Sequence, residues 1–323
     1  MSAVSLVFGT VGAPDAIRVW RPGWPCPVRS LLLAQRRGAG DPTLRLAAAG
    51  GRARHWRASR TPEGPVTLAI EARPADGEVR AEAWGSGATW ALDQLPELLG
   101  AADDWSGFRP RHPVVAGALR AHPHVRIGRT GRVLEALVPA AIEQKVTGQE
   151  AFAGFRALVR EYGDRAPGPG ADAGLFVQPD AGTLRTVPSW DWLRLGVDGA
   201  RSRAVVTAAR HADSLERAGV RSAEALDRAV RSLPGLGGWT SAEVRQRALG
   251  DPDAVSFGDY HVSKDVGFAL VGSPVDDVRL EELLEPWRPH RGRVPLLLGA
   301  AGLRRPRRGP RLSARGHLPR VTK

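Results

Sequence analysis

Cysteine is nearly absent from this chain of 323 residues, in which Cys26 is the only one. The composition therefore excludes an internal disulfide, a zinc site built on thiolates and a four-cysteine iron–sulfur cluster. A charged and then apolar leader is also missing, and no apolar run approaches the ~20 residues that span a bilayer. We therefore expect a cytoplasmic protein without a membrane segment.

Lysine is scarce as well. Only Lys145, Lys264 and Lys323 are lysines among 46 basic residues, which outnumber 34 acidic ones and give a net charge of +12. A positive charge of this size favours a polyanionic partner, with nucleic acid ahead of a membrane surface. The abundance of Arg, Ala and Gly is also typical of a GC-rich genome, so codon usage is an alternative source of part of the charge.

The N-terminal region, residues 1–102, has the pattern of an antiparallel sheet with packed helices. The segments "GRARHWRASRT", "GPVTLAIEARP" and "EVRAEAWGSG" are rich in strand-forming residues and are separated by Pro-Glu-Gly and Ala-Asp-Gly turns. Amphipathic helices are predicted before and after them, at "PVRSLLLAQRR" and "LDQLPELLGAADDW". The fold class is therefore α+β.

Residues 103–303 predict an all-helical domain, because apolar residues recur there at helical spacing. In "VLEALVPAAIEQKVTGQEAFAGFRALVREYG" we expect two helices, separated near Gly148. We predict a loop at "GPGADAGLFVQPDAG", helices at "GARSRAVVTAARHADSLERAG" and "SAEALDRAVRSL", and a last helix pair broken at Pro286 and Pro289. Residues 304–323 carry eight Arg or Lys and no acidic residue, which indicates a basic, flexible tail.

A glycine-rich turn, "LPGLGGW", begins at Leu233. Gly235, Gly237 and Gly238 tolerate positive φ, so the chain turns sharply and leaves neighbouring backbone N–H groups pointing outward together. Such amides bind a DNA backbone phosphate without reading the bases. We therefore predict DNA contacts from Leu233 to Thr240, with an ordinary turn between core helices as the alternative.

The glycine-rich turn is followed by a helix and then by a carboxylate. Thr240 and Glu243 have the spacing of a capping box at the start of the helix. Asp259 comes next, in a loop that Val255 and Phe257 anchor in the core. A lone Asp before a helix is usually its N-cap. Its position after a phosphate-binding turn favours a functional carboxylate instead.

These two features resemble the helix-hairpin-helix DNA glycosylases. In that superfamily a hairpin like "LPGLGGWTSAEV" is followed by a loop rich in Gly and Pro and by an essential aspartate, as in "LGDPDAVSFGD". "ALVPAAIEQKVTGQEA" is similar to the helix pair that carries the DNA-inserting loop, and "WRPHRGRVPLLL" to the C-terminal helix of the DNA-3-methyladenine glycosylase II type. The N-terminal region matches the extra domain of that type in layout, so the resemblance covers nearly the whole chain.

The resemblance implies a monofunctional DNA glycosylase of base excision repair. It would act as a monomer on double-stranded DNA in the cytoplasm, at the nucleoid. It would flip out alkylated bases of the 3-methyladenine and 7-methylguanine type and hydrolyse the N-glycosidic bond, leaving an abasic site. No cofactor and no metal site is implied, although a monovalent cation at the hairpin is left open.

The residues are consistent with this chemistry. A base methylated on a ring nitrogen is already positive and leaves without a general acid. Asp259 can then stabilise the sugar cation and orient or deprotonate the attacking water. Trp239 and Tyr260 are the predicted aromatic walls for a cationic base, each contributing ~1–2 kcal/mol when well placed. Core packing is the alternative for both rings.

Some positions depart from the family pattern. Trp239 stands where bifunctional relatives carry the Lys that forms a Schiff base, so we expect no strand cleavage. Gln144 matches the polar residue of the inserting loop, but Lys145 stands where a Leu wedge is expected, with a solvated surface role as the alternative. Glu243 replaces an expected aromatic residue, and none is found near Gly299. The lesion spectrum therefore does not transfer from the family.

Two other functions compete with the alkylated-base glycosylase. The first is a non-catalytic DNA-binding protein that keeps the hairpin, but such a protein has no need of Asp259 at its position. The second is a glycosylase for deaminated bases such as hypoxanthine or uracil. Neutral bases need more help to leave, and no second acid is evident in the sequence.

Overall fold

The computed structural model describes residues 12–48 and 53–306. The basic tail predicted for residues 304–323 lies outside the described part of the chain, apart from Arg304, Arg305 and Pro306. Within the described ranges no helix is both long and apolar enough to cross a membrane.

A five-stranded antiparallel sheet forms the N-terminal region, with the strand order β1-β5-β4-β3-β2. Its strands are β1 (Ala16–Trp20), β2 (Leu44–Arg45), β3 (Arg54–Thr61), β4 (Gly64–Arg73) and β5 (Glu78–Trp84). The predicted strands and both predicted turns are confirmed, since β3, β4 and β5 are consecutive neighbours. Strand β1 was not predicted, although the segment "AIRVW" alternates in burial as an edge strand does.

Three helices cover one face of the sheet: α1 (Val28–Gln35), α2 (Ala88–Asp93) and α3 (Leu95–Leu98). They confirm the predicted helix at "PVRSLLLAQRR", whereas "LDQLPELLGAADDW" is helical only as far as Leu98. Leu32 of α1 and Leu95 of α3 are fully buried against Leu68 and Ile70 of β4. We call this the sheet core. It excludes water from one side of the sheet, and such apolar burial stabilises a layered fold.

The remaining elements are mostly helical. They are α4 (Pro113–Ala121), α5 (Val133–Ile142), α6 (Gly148–Tyr162), β6 (Asp164–Arg165), α7 (Pro169–Asp172), β7 (Phe176–Val177), α8 (Ala181–Thr186), α9 (Ser189–Arg194), α10 (Gly199–Arg210), α11 (Ala212–Arg221), α12 (Ala223–Arg231), α13 (Gly238–Val244), α14 (Val262–Val271), α15 (Asp277–Leu284) and α16 (Arg293–Ala300). The capping box of α6 is formed by Thr147 and Glu150, and it confirms a helix boundary at Gly148.

Two hydrophobic cores divide this helical part. Helices α5, α6 and α8–α13 enclose the first, the hairpin core, which includes Leu137, Leu158 and Leu226. Helix α4 packs with α14–α16 around the second, the C-terminal core, which includes Val115 and Leu297. The chain therefore leaves the C-terminal core after α4, builds the hairpin core, and returns after α13. The connection from α13 to α14 passes between the two cores.

Two details of the helical part differ from the prediction. The segment predicted as a loop at residues 168–182 contains α7 and β7, and β7 pairs with β6 in a two-stranded sheet. The helix predicted over residues 199–219 is two helices, α10 and α11, which meet at His211. His211 has a non-helical backbone and its N–H bonds to Ala208, and no Gly or Pro marked this break.

Charged side chains join the sheet region to α5. Arg37, after α1, pairs with Glu143 at 2.8 Å, and Arg57 of β3 pairs with Glu135. The side chains of both arginines are only 6% exposed, so each guanidinium is held out of water by the partner region. Breaking a buried pair of this kind leaves an uncompensated charge and costs about 3–5 kcal/mol.

Candidate active site

The hairpin consists of α12, the turn 232–237 and α13. Ser222 caps α12 by accepting a hydrogen bond from the N–H of Ala225 at 3.1 Å. The turn is anchored by Leu236, which is buried in the hairpin core. Leu233 packs against the same core and is partly buried. The fold therefore fixes the hairpin from its apolar side.

The glycines of the turn face open space. Gly235 has a positive φ of 82°, which favours glycine there. Gly237 and Gly238 are exposed, and an added Cβ would meet nothing within 4 Å at either residue. Internal packing therefore does not require glycine at these two positions. Their bare backbone leaves the amides accessible to a large partner.

The predicted capping box of Thr240 and Glu243 is wrong. Helix α13 already begins at Gly238 with Gly237 as its N-cap, so Thr240 lies inside the first turn and is buried. Its hydroxyl instead accepts a hydrogen bond of 2.8 Å from Nε2 of Gln144. The same nitrogen donates to the carbonyl of Gly235 at 3.0 Å. Gln144 thus ties the turn after α5 to the hairpin.

Lys145 follows Gln144 in the turn between α5 and α6. Its side chain is exposed, and its φ of 54° is the one positive φ of a non-glycine residue in the described ranges. A left-handed backbone costs roughly 1–2 kcal/mol for a residue with a Cβ. The turn therefore presents Lys145 at the surface, next to the hairpin that Gln144 holds.

The loop 250–258 carries the chain from the hairpin core to the C-terminal core, and four contacts fix it. Arg245 pairs with Asp251, and the Arg291 guanidinium binds both carboxylate oxygens of Asp253, at 3.0 and 2.7 Å. Ser256 donates to Glu243 at 2.5 Å, and the N–H of Gly258 donates to Asp277 at 3.0 Å. Arg291 is the last residue of the "WRPHR" stretch, which therefore positions this loop.

Asp259 lies at the end of this loop and is partly exposed. Its Oδ1 accepts hydrogen bonds from the backbone N–H groups of His261 at 2.7 Å and Val262 at 3.1 Å. Among the described residues no donor reaches its second oxygen, Oδ2. The carboxylate is therefore held at the N-terminal turn of α14, as an N-cap would be, with one oxygen left for other contacts.

A recess of about 200 Å³ lies beside this turn. Its walls come from the start of α14, from α16 and from the segment that follows α16. The lining residues are His261, Val262, Asp265, Val266, Pro295, Leu298, Gly299, Leu303 and Arg304. The two residues whose N–H groups hold Asp259 thus also line the recess, which contains no aromatic ring other than the imidazole.

The predicted pocket rings lie outside this lining. Trp239 is partly buried and packs against the hairpin core. Tyr260 is exposed, with the Lys264 ammonium 3.4 Å from its ring centroid and the Arg305 guanidinium at 5.5 Å. The hydrogen bond from Arg305 and the nearby Lys264 charge hold the pKa of Tyr260 below its ordinary value. Whether either ring contacts a flipped base stays a prediction.

Glu243 is at the centre of a buried charge cluster that sequence reasoning missed. Its carboxylate accepts from Arg247 at 2.6 Å and from Ser256. Burial alone would raise the pKa of Glu243, but the charges of Arg247 and Arg37 and the Ser256 hydrogen bond outweigh it and lower the pKa. Arg37 comes from the sheet region, far away in sequence, so no local motif could have revealed it.

The described residues contain no group of three or more His, Cys, Asp or Glu side chains that could hold a metal ion.

No family model and no curated protein matches the sequence. Solved structures do match the fold. The 3-methyladenine DNA-glycosylase from Archaeoglobus fulgidus is 18% identical, with a TM-score of 0.64 over 84% of this chain and 95% of its own. The Clostridium acetobutylicum 8-oxoguanine glycosylase/lyase, in complex with double-stranded DNA, is 11% identical, with a TM-score of 0.63 over 84% and 90%. The chain therefore has the fold of these DNA glycosylases.

Proposed function

We propose that the protein is a monofunctional DNA glycosylase that removes alkylated bases from double-stranded DNA. The observation that carries the proposal is the position of Asp259. Its carboxylate is fixed by two backbone N–H groups, follows the hairpin at the end of a braced loop, and lies on the turn that forms one wall of a base-sized recess.

The hairpin supplies the DNA contact. Its exposed Gly237 and Gly238 amides can approach a backbone phosphate closely, because no side chain stands in the way. The net charge of +12 adds a sequence-independent attraction to the duplex. In this proposal Gln144 and Lys145, on the adjacent turn, contact the duplex where the base is extruded.

In this proposal a single carboxylate is sufficient for cleavage of the N-glycosidic bond. A base alkylated on a ring nitrogen carries a positive charge, so the N-glycosidic bond breaks as the sugar develops an oxocarbenium-like cation. With Oδ1 of Asp259 bound by N–H groups, Oδ2 is left to face that cation and the attacking water. The products are a free base and an intact strand with an abasic site.

The absence of lyase chemistry is also proposed. Trp239 occupies the hairpin position at which a strand-cleaving relative needs an amine, and indole cannot form a Schiff base. Of the two lysines in the described ranges, Lys264 has its ammonium against the Tyr260 ring. Lys145 lies on the exposed turn after α5.

A base-release assay tests the proposed function. Purified protein is incubated with duplexes that carry 7-methylguanine, hypoxanthine or no lesion, and alkali then reveals abasic sites as strand breaks. We expect release from the alkylated duplex. Asp259→Asn should remove most of that release while DNA binding persists, because the amide fits but cannot stabilise a cation.

The matched control is Asp213→Asn, which makes the same change on the exposed surface of α11 and should leave release unchanged. Full activity of the Asp259→Asn protein would contradict the catalytic assignment. Release of hypoxanthine alone would move the substrate class to deaminated bases.

A further inference from the structure

The loop that leads to Asp259 contacts both cores of the helical part. Val255 is buried in the C-terminal core, and Phe257 packs against the same core. Ser256 lies between them in sequence and contacts the other side, because its hydroxyl donates a hydrogen bond of 2.5 Å to Oε1 of Glu243. Ser256 therefore attaches this part of the loop to the hairpin helix α13.

Ser256 is also bonded directly to Asp259. The backbone N–H of Asp259 donates to the carbonyl of Ser256 at 3.1 Å. Oδ1 of Asp259 in turn accepts the N–H groups of His261 and Val262. A chain of hydrogen bonds thus runs from Glu243 through Ser256 to the turn that holds the carboxylate. Because hydrogen bonds tolerate little change in distance or angle, a shift of Ser256 is transmitted to Asp259.

Both carboxylate oxygens of Glu243 are engaged. Oε1 accepts from Ser256, and Oε2 accepts from the guanidinium of Arg247 at 2.6 Å, four residues further along the chain. The carbonyl of Arg247 accepts the N–H of Thr130 at 3.0 Å, so Arg247 is fixed from a third segment. The side chains of Glu243 and Arg247 are only 12% and 19% exposed, which limits competition from water and strengthens these bonds.

We infer that Glu243 is a positioning residue for Asp259 and that it acts through Ser256. The inference rests on the proposed glycosylase function, in which Asp259 is the catalytic carboxylate. Helix α13 begins at Gly238, in the turn proposed to bind a DNA phosphate, and the same short helix carries Glu243. The Glu243–Ser256 contact thus sets the position of the carboxylate relative to the hairpin.

The proposed reaction needs this relation to be constant. The hairpin and the carboxylate act on parts of one duplex, and a catalytic group must be held in place to react efficiently. Arg291 and Asp277 hold the loop from the C-terminal helices. Arg245, from the hairpin side, contacts only the start of the loop, at Asp251. Ser256 is therefore the hairpin-side attachment that lies closest in sequence to the carboxylate.

Ser256→Ala tests the link, because it removes the hydroxyl and leaves Glu243 paired with Arg247. Amides of residues 259–262 should exchange with deuterium about fivefold faster, the equivalent of one lost hydrogen bond. Single-turnover base release at saturating protein should slow by about tenfold or more, since a displacement of ~1 Å can cost ~100-fold. Duplex binding should stay at the wild-type level. Ser256→Thr keeps the hydroxyl and should restore both exchange and rate.

The chain offers a matched control on α5. Glu135 is arranged like Glu243, since it pairs with Arg57 and accepts a hydrogen bond from the hydroxyl of Ser59. Ser59→Ala therefore removes an equivalent bond, at the junction with the sheet region. It should lower the melting temperature about as much as Ser256→Ala does. Amide exchange at residues 259–262 and the single-turnover rate should stay at their wild-type values.

Glu243→Gln tests the link from the other side. An amide has one acceptor oxygen for two donors, so either Ser256 or Arg247 loses its acceptor. Base release should slow as it does in Ser256→Ala. The double variant should be little slower than the slower single variant, because both changes break the same chain of hydrogen bonds.

The outcomes separate this inference from the proposed function. Wild-type exchange in Ser256→Ala, or faster exchange with an unchanged rate of release, would overturn the positioning role. Equal losses in Ser59→Ala would overturn it as well, because they would reflect general destabilisation. If the wild-type protein released no base from any duplex, the glycosylase proposal would fail. Faster exchange confined to the Ser256 and Glu243 variants would still support Glu243 as the residue that holds Asp259.

Discussion

The amide nitrogen of Gln144 lies 2.8 Å from the hydroxyl of Thr240 and donates a hydrogen bond to it. The bond joins the turn after α5 to the first turn of the hairpin helix α13. Gln144 was predicted to approach the DNA where a base is extruded, and the structure adds that its side chain also holds the hairpin. Both roles are compatible, because the side-chain oxygen of Gln144 can still accept hydrogen bonds.

The Gln144–Thr240 contact predicts coupling between two variants. Gln144→Leu and Thr240→Val should each destabilise the protein by about 1 kcal/mol, since each leaves a polar partner unsatisfied. The double variant should be destabilised by less than the sum. Chemical denaturation of the four proteins gives the coupling. If the two single-variant losses in unfolding free energy add up to the loss in the double variant, the hydrogen bond does not contribute to stability in solution. If holding the hairpin is the main role, both single variants should weaken binding to damaged and undamaged duplex alike.

Variants of Lys145 separate the free-energy cost of its left-handed backbone from the contribution of its side chain to DNA binding. Lys145→Gly and Lys145→Ala both remove the side chain, but only glycine relieves the positive φ, so the Gly variant should be more stable by about 1 kcal/mol.

If Lys145 fills the gap left by the flipped base, both variants should lose affinity for an abasic-site analogue more than for undamaged duplex. Lys145→Leu should largely preserve flipping, as reported by 2-aminopurine fluorescence beside the lesion. Equal losses on both duplexes would reduce Lys145 to a phosphate contact.

Trp239 predicts the form of the DNA product. Borohydride added during the reaction should trap no covalent protein–DNA adduct, and the strand should stay intact until alkali is added. If a covalent adduct is trapped, variants of the two lysines in the described ranges can identify the amine that forms it. If an adduct formed, its loss in Lys264→Ala or in Lys145→Ala would identify the amine and would overturn the monofunctional assignment.

Glu243 predicts a dependence of stability on pH. A carboxyl group whose pKa is lowered by folding stabilises the protein above its ordinary pKa, and this contribution is lost as the pH falls through the lowered value. Glu243→Gln removes the carboxylate that pairs with Arg247 and should destabilise the protein by about 3 kcal/mol at neutral pH. The difference in the free energy of unfolding between this variant and wild type should shrink as the pH falls well below the ordinary pKa of a carboxyl group. Glu282→Gln, in an exposed pair, should show little effect. A difference that does not change with pH would contradict the assignment.

Local patterns predicted the elements whose signals lie within a few residues. The turns at Pro-Glu-Gly and Ala-Asp-Gly placed β3, β4 and β5, and the glycine-rich turn placed the hairpin. The same local signal misled at Thr240 and Glu243, where the spacing of a capping box begins inside the first turn of the helix and not at its N-cap. The spacing of these two residues does not fix where the helix begins. Gly237 is the N-cap of α13 and has no side chain that a capping pattern could reveal.

The contacts that bring distant segments together were beyond sequence reasoning. Asp259 was predicted from its position after the hairpin, but the bracing of its loop depends on Arg291 and Glu243 from two different cores. Arg37 reaches the same cluster from the sheet region. These pairings depend on tertiary packing, and an arginine-rich chain offers too many equivalent candidates for any one to be recognised in advance.

The buried pairs Arg37–Glu143 and Arg57–Glu135 have a consequence for how this protein can be divided. Glu135 lies on α5, a central helix of the hairpin core, and Glu143 directly follows that helix, so each pair places a positive group of the sheet region against a negative group of the hairpin region. A fragment beginning near residue 103 would keep both carboxylates and lose both guanidinium groups. The sheet region is thus not a detachable module. The sheet region and the hairpin core should therefore unfold as one cooperative unit, and heating should give one calorimetric transition rather than two.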